Sequence, residues 1–316
     1  MSTIASRPET LLRAGRGPVS PARRPSLDDC RTNNPEFADL VADVAREHTV
    51  PGRALSVRTL LHLPRLARSD GTVSRRNIET ELNRHALRLR ADQNSIGELT
   101  PQNRFDLSDL RFVRLTNSVA DPIFSRLHYL QSARAGSVNF ALVEPLSRLP
   151  VTLCSVSPLE WMRVGRQLQS QFSVPLGSAW DVSRVYSFDV APANAISYLL
   201  GKVRSAIRQE LPSLQVLTTA VDPNLGFTGA SYRSANWKQW MSITARPYLY
   251  VDGFYASPRQ LRNRFGGANL VQLRADNRAH RFEQSRSRLL DSVIFCSRVR
   301  GETEQVAADE YRLLRR

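Results

Sequence analysis

The stretch "SRVYSFDVAPANAISYLL", Ser183 to Leu200, changes from alternating to helical texture across one short turn. Ser183 to Val190 reads as a strand, with apolar and polar residues alternating from Tyr186 onward, and "APAN" then breaks the pattern. Beyond it, Ile196, Leu199, Leu200, Val203 and Ile207 recur at helical spacing, and Pro212 ends the run. A second strand, "LQVLTTAV", follows at once and closes at Asp222. The unit is strand, long amphipathic helix, strand.

Working outward, "VNFALVE" and "VTLCSVS" flank "PLSRLP" and read as an antiparallel hairpin, preceded by a strand in "FVRLTN" and a short helix in "DPIFSRLHYL". Downstream, Asp252-Gly253 in "PYLYVDGFYAS" predicts a tight hairpin. Ser257 as N-cap, Pro258 at the first helical position and Gly266 past the end predict a short helix. "SVIFCSRV" is a late strand, and a polar helical tail is expected over 301–316. This order predicts an α/β (α+β) domain over 109–300, with a central mixed sheet, flanking helices and two neighbouring strands that diverge to admit a ligand.

The N-terminal third has a different character. Residues 1–35, with "RAGRGPVSPARRPS", read as a disordered basic tail. Over 36–108 the pattern is helical. Phe37, Leu40, Val41 and Val44 share one face, Ser56 is a candidate cap for a helix from Val57 to Leu63, and Ser74 for a second carrying Ile78, Leu82 and His85. Two short helices about the turn "SDGT" suit a helix-turn-helix or winged-helix module, with Arg75, Arg76 and Arg84 as nucleic-acid contacts. The alternative is a small bundle packed on the main domain with a solvated arginine face.

The formal net charge of +15 points to a polyanionic partner, nucleic acid above all, through long-range attraction and counterion release. All the basic residues except Lys202 and Lys238 are arginine, a bias that genome composition alone can produce. No long apolar run or secretory leader is present, so the expectation is a cytoplasmic protein with no membrane partner. Cys30, Cys154 and Cys296 are too dispersed for a disulfide framework, and no metal-ligand spacing occurs.

Several residues stand out as site candidates. Arg184 begins a strand expected to be central, and pairing with Asp222 on the neighbouring strand would satisfy both charges. Pro223 forces an extended Asp222 and aims it out of the strand end, as a general base or as a turn starter. Ser197 and Asn194 lie at the start of the long helix, where free amides could take an anion or Asn194 could simply cap. Gly226 and Gly229 permit positive φ or close approach of backbone to a ligand. Tyr232 follows them, Trp237 reads as a packing indole, and His128 is either a second base beside the cleft or a core histidine.

The order of elements resembles the Gcn5-related N-acyltransferase fold. "SRVYSFDVAPANAISYLL" followed by "VDPNLGFTGASYRSANW" resembles, within that fold, the Mom family of phage DNA-modification proteins and the related domain of the Druantia defence protein DruA. The resemblance spans about 116–265 and is strongest over 183–237. It implies an enzyme that modifies the exocyclic amine of a nucleic-acid base, as Mom proteins do to adenine in DNA, with Arg184, Ser197, Asp222 and Tyr232 at matching positions. Tyr232 is then the proton donor to the leaving group. The fold also implies an acyl donor such as acyl-coenzyme A, yet the "APANAIS" turn lacks the glycines of that family's pyrophosphate loop. DNA is the expected acceptor ahead of tRNA. Alternatives are transfer to a small molecule or peptide from coenzyme A or aminoacyl-tRNA, and a non-catalytic nucleic-acid sensor in phage defence.

Overall fold

The computed structural model describes residue 28, residues 30–303 and residues 312–313. Most of the basic tail, and most of the tail expected to be helical over 301–316, therefore lie outside the described residues. Arg312 and Leu313, which are described, form a short strand rather than a helix.

Among the described residues the first α-helices are α1 (Pro35–Ala45), α2 (Gly52–His62) and α3 (Arg75–Asn94). Then come β1 (Arg111–Leu115), α4 (Asn117–Arg126), β2 (Val138–Val143), β3 (Pro150–Pro158), α5 (Met162–Phe172), β4 (Ala179–Ser187), α6 (Ala195–Glu210) and β5 (Val216–Val221). The last part holds α7 (Ala230–Ser234), β6 (Lys238–Ile243), β7 (Leu249–Val251), β8 (Phe254–Tyr255), α8 (Pro258–Phe265), α9 (Leu270–Asp276), β9 (Phe282–Gln284), β10 (Ser292–Arg298) and β11 (Arg312–Leu313). One eight-stranded mixed sheet runs β1-β2-β3-β4-β5-β10-β6-β11, and a small sheet runs β8-β7-β9.

β1 to β4 form an antiparallel meander, and α6 carries the chain from β4 to a parallel β5. β10 returns late in the chain to pair with both β5 and β6. The α6 stripe Leu199, Leu200, Val203 and Ile207 packs on Phe140, Cys154, Val156 and Leu217 of one sheet face. On another part of the sheet, Ala141, Val143, Leu153 and Tyr186 join Phe37, Leu55, Leu61, Ile78 and Leu82 in one apolar cluster. The N-terminal helices are thus bonded into the sheet's own core, and Tyr250 and Tyr255 reach back to them, the Tyr250 hydroxyl to the Leu61 carbonyl (2.9 Å) and the Tyr255 amide to His62 Nε2 (3.1 Å).

Local signals explain several boundaries. Asp252 (φ 53°) and Gly253 (φ 77°) make the two-residue turn of the β7–β8 hairpin. Ser257 and Gln260 form a reciprocal capping box on α8, and Gly266 ends it in the left-handed region. Ser74 caps α3 as expected. The expected Ser56 cap is not found, because α2 starts five residues earlier, at Gly52. Its first amide, Gly52 N–H, donates to Asp189 Oδ2 at 2.7 Å, a remote carboxylate that lets Ser56 lie buried within the helix. The chain is also anchored before residue 35, since Arg31 bridges Thr72 and the Thr32 amide donates to the Gly71 carbonyl. No helix among the described residues is long and apolar enough to cross a membrane.

Candidate active site

The parallel pairing of β4 with β5 lasts only from Ala179↔Val216 to Asp181↔Thr218. Both strands continue, β4 to Ser187 and β5 to Val221, so they part after that pair. Across from the fork, Ser155 pairs with Arg184 and Val156 with Val182, which leaves Ser183 as a bulge in β4. A cavity of about 190 Å³ opens in the gap, walled by Val182–Val185, Thr219–Val221 and the Gly226–Tyr232 turn. His128, Tyr129 and Ile196 line it from above, with Arg53 contributed by α2.

Tyr232 is inside this cleft. Its hydroxyl lies 3.3 Å from Thr219 Oγ1, which in turn lies 3.0 Å from the Val182 carbonyl. Thr219 has one proton, so when it donates to Val182, Tyr232 donates to Thr219. The ring is held edge-on by Trp237 (5.4 Å) and stacked on Phe295 (5.8 Å), which makes Trp237 a support beneath the site. Burial pushes the phenol's pKa well above its ordinary value, so it stays protonated at neutral pH.

His128 turns its Nδ1 to the Leu130 amide (3.2 Å), which puts the proton of the neutral ring on Nε2. Burial first, then the charges of Arg184 and Arg58, hold its pKa well below the ordinary value. With Nδ1 occupied, the neutral imidazole offers its Nε2–H as a donor, and at 4% exposure His128 is the core histidine of the two readings. Tyr129 packs beside it at a tilt of 31°, ring centroids 4.4 Å apart.

Arg184 does not pair with Asp222. Its Nε and Nη2 donate to the Ser132 carbonyl and hydroxyl, both at 3.0 Å, and Nη1 donates to the Ser183 carbonyl at 2.6 Å. The guanidinium therefore ties the bulge to the 131–137 segment, and its half-buried charge is met by neutral oxygens instead of a carboxylate. Asp222 lies outside the cleft lining. Oδ2 accepts from the Tyr248 hydroxyl at 2.5 Å, and Oδ1 from the Asn224 amide (3.0 Å) and side chain (2.8 Å). It is the turn starter of the two readings.

Both glycines line the cleft with φ 76°, but protein fills the space their missing side chains leave. A Cβ on Gly229 would meet the Phe295 ring at 2.4 Å, and one on Gly226 would meet Ala38 at 3.2 Å. They admit packing neighbours, not a ligand.

At the α6 start only Ile196 reaches the cleft. Asn194 is left-handed (φ 64°) without a side-chain cap, and Ser197 Oγ donates back to the Asn194 carbonyl at 2.9 Å. The Ala195 amide is taken by the Pro192 carbonyl, and Pro192 itself has no N–H. The turn thus lacks the glycines through which the coenzyme A loop brings its amides to a pyrophosphate, and one of its amides is already taken.

The expected nucleic-acid contacts are dispersed. Arg75 and Arg76 are exposed on the first turn of α3, Arg75 paired with Glu79 at 2.8 Å. Arg84 is turned inward over the Phe254 ring (4.0 Å) and toward Glu81 (3.5 Å). The three do not form one face.

Thr219, Tyr129 and Arg53 were not singled out from the sequence. Strand alternation places Thr219 with Val221 on one side of β5, a usable signal, whereas Arg53 reaches the cleft only because α2 packs there.

The profile of the Mom protein family matches residues 109–300, which hold every cleft residue named above except Arg53. The chain belongs to the Mom family. Its mixed sheet carries the cleft at a diverging parallel pair. Among solved structures, a protein from Sphaerobacter thermophilus described as an acetyltransferase is 13% identical, over 52% of this chain and 70% of that one, with a TM-score of 0.26. An aminoglycoside N(6')-acetyltransferase from Legionella pneumophila is 6% identical, over 60% of this chain and 92% of that one, with a TM-score of 0.30. No curated protein matches the sequence.

Proposed function

We propose that this Mom-family protein transfers a group from an activated donor to an exocyclic amine of a nucleic-acid base, in DNA ahead of tRNA. The observation that carries the reading is the cleft itself: a half-buried, protonated tyrosine faces aromatic walls, and the lining includes two arginines and no carboxylate. Such a site favours an anionic or electron-rich ligand and can hand a proton to a departing group.

In this scheme the amine nitrogen attacks the electrophilic carbon of the donor. The bond to the leaving group breaks, and that group takes the Tyr232 proton. The amine is acidic once it has attacked, and its proton passes through water to the Tyr232 phenolate, which restores the acid without a carboxylate base in the cleft. Negative charge developing on the donor is met by the Nε2–H of His128. Arg184 is a positioning residue that holds the Ser183 bulge.

The turn at Pro192–Ser197 favours a donor other than coenzyme A, and aminoacyl-tRNA is the second reading for the donor, since it fits the +15 charge. The test is mass spectrometry of nucleosides from DNA and tRNA of cells expressing the protein or its Tyr232→Phe variant. A new nucleoside present only with the wild type supports the proposal, and its mass identifies the group. Absence of any new nucleoside in both pools refutes it and leaves small-molecule transfer or silent sensing.

A further inference from the structure

A second, larger recess lies behind the cleft, with a volume of about 770 Å³. It runs between α3 and α4 on one side and the β7–β8 hairpin and α8 on the other. We propose that this groove binds an unpaired nucleic-acid strand beside the reacting nucleotide, a proposal that rests on the nucleic-acid reading of the cleft.

The wall chemistry is specific. Arg88 lies over the Phe254 ring at 4.5 Å and Arg264 over the Phe265 ring at 4.8 Å. Stacking orders a guanidinium while leaving its N–H donors at the rim for phosphate. Arg126 adds a third exposed cation, with 58% of its side chain accessible.

The two carboxylates in the recess are already engaged. Asp92 accepts from Arg58 at 2.7 Å and reaches Arg126 only at 4.0 Å. Asp252 accepts from His280 (2.8 Å) and from the Arg281 amide (2.9 Å). The groove therefore presents surplus positive charge on guanidinium planes ordered over aromatic rings, chemistry that binds single strands by phosphate contact and by stacking of unpaired bases on those planes. In a duplex the base faces are covered by their neighbours, and a recess of this kind cannot use them.

Position supports the assignment. The turn His128–Gln131 separates the two cavities, with His128 and Tyr129 lining the cleft and Gln131 lining the groove. Gln260 Nε2 donates to the Leu130 carbonyl at 3.3 Å and fixes that turn to the groove wall. A strand in the groove would pass one turn of chain from Tyr129, so the nucleotide entering the cleft would come from its neighbour in sequence.

The test compares the full-length wild type, the triple variant Arg88→Ser/Arg126→Ser/Arg264→Ser and the control Arg75→Ser/Arg76→Ser. Binding is read with a fluorescein-labelled single-stranded DNA oligonucleotide across a salt series, with its duplex and polyglutamate as competitors. The expected result is a loss of at least about tenfold for the triple variant and a salt slope shallower by about 2, from about 0.7 per lost single-strand phosphate contact. The control retains wild-type affinity. Photocrosslinking of a bromouracil-substituted oligonucleotide should label the 254–265 segment, a readout independent of variant folding.

An unchanged slope in the triple variant, or crosslinks confined elsewhere, overturns the groove. So does polyglutamate competing as well as the single strand, which would mark an acidic-peptide surface. Nucleoside analysis of the same cells separates the two proposals: single-strand binding that depends on the three arginines, without any modified nucleoside, sinks the reaction and leaves the groove standing.

Discussion

Gly229→Ala tests the physical origin of the cleft floor. The new methyl would stand 2.4 and 2.6 Å from two carbons of the Phe295 ring, well inside van der Waals contact, and the residue would keep φ 76°. Left-handed backbone costs alanine about 1 kcal/mol. Phe295 is 1% exposed and cannot swing into solvent, so overpacking adds about 1–3 kcal/mol. The expected loss is about 2–4 kcal/mol. Gly226→Ala has the same φ but meets Ala38 at 3.2 Å, so it should cost about 1 kcal/mol, mostly from the backbone. Because Phe295 stacks on Tyr232 at 5.8 Å, displacement of the ring should also lower activity. Denaturant unfolding with linear extrapolation measures both variants, and Phe295→Leu in the Gly229→Ala background should return about 1 kcal/mol relative to additivity by relieving the contact. A Gly229→Ala protein within about 0.5 kcal/mol of wild type would refute the packing account.

Three further outcomes follow from the same contacts. Tyr248→Phe removes the 2.5 Å bond to Asp222 and should cost about 1–2 kcal/mol, whereas Asp222→Asn should lower activity less than tenfold, against about a hundredfold or more for Tyr232→Phe; equal losses would make Asp222 catalytic. Asp181, at the fork, has its pKa raised from 3.8 to about 6 by burial, so the fold disfavours its charged form and stability falls as pH rises from about 4 through 6. Asp181→Asn should flatten unfolding midpoints over that window and stabilise the protein at pH 7 by about 1–2 kcal/mol, a partly exposed fraction of the full value; a mutant with the wild-type pH profile would contradict this. Asp92→Ala leaves buried Arg58 without the carboxylate 2.7 Å away and should cost about 3–5 kcal/mol by thermal or chemical unfolding, while a loss below about 1 kcal/mol would show the charge to be solvated.

Much of the fold could be read directly because the deciding forces are local. The α6 stripe, the capping box at Ser257, the Asp252-Gly253 hairpin and the Ser74 cap each depend on residues within one or two turns of chain. Tyr232 was legible as a cleft residue through the order of motifs around it. Trp237 was legible as its support, being 2% exposed.

What tertiary structure alone decided is who meets whom. The sequence by itself determined the elements, the helical N-terminal third and the parallel crossover around α6. It could not show that β10 slots between β5 and β6, that Asp189 caps α2 across 137 residues, or that Arg184 is claimed by Ser132 across 52. Those choices depend on long-range closure, in which several polar partners of similar local character compete and packing selects one. The cleft has the same origin: β4 and β5 part at the Ser183 bulge, the Thr219–Val182 bond spans the head of the fork, and neither has a local signature.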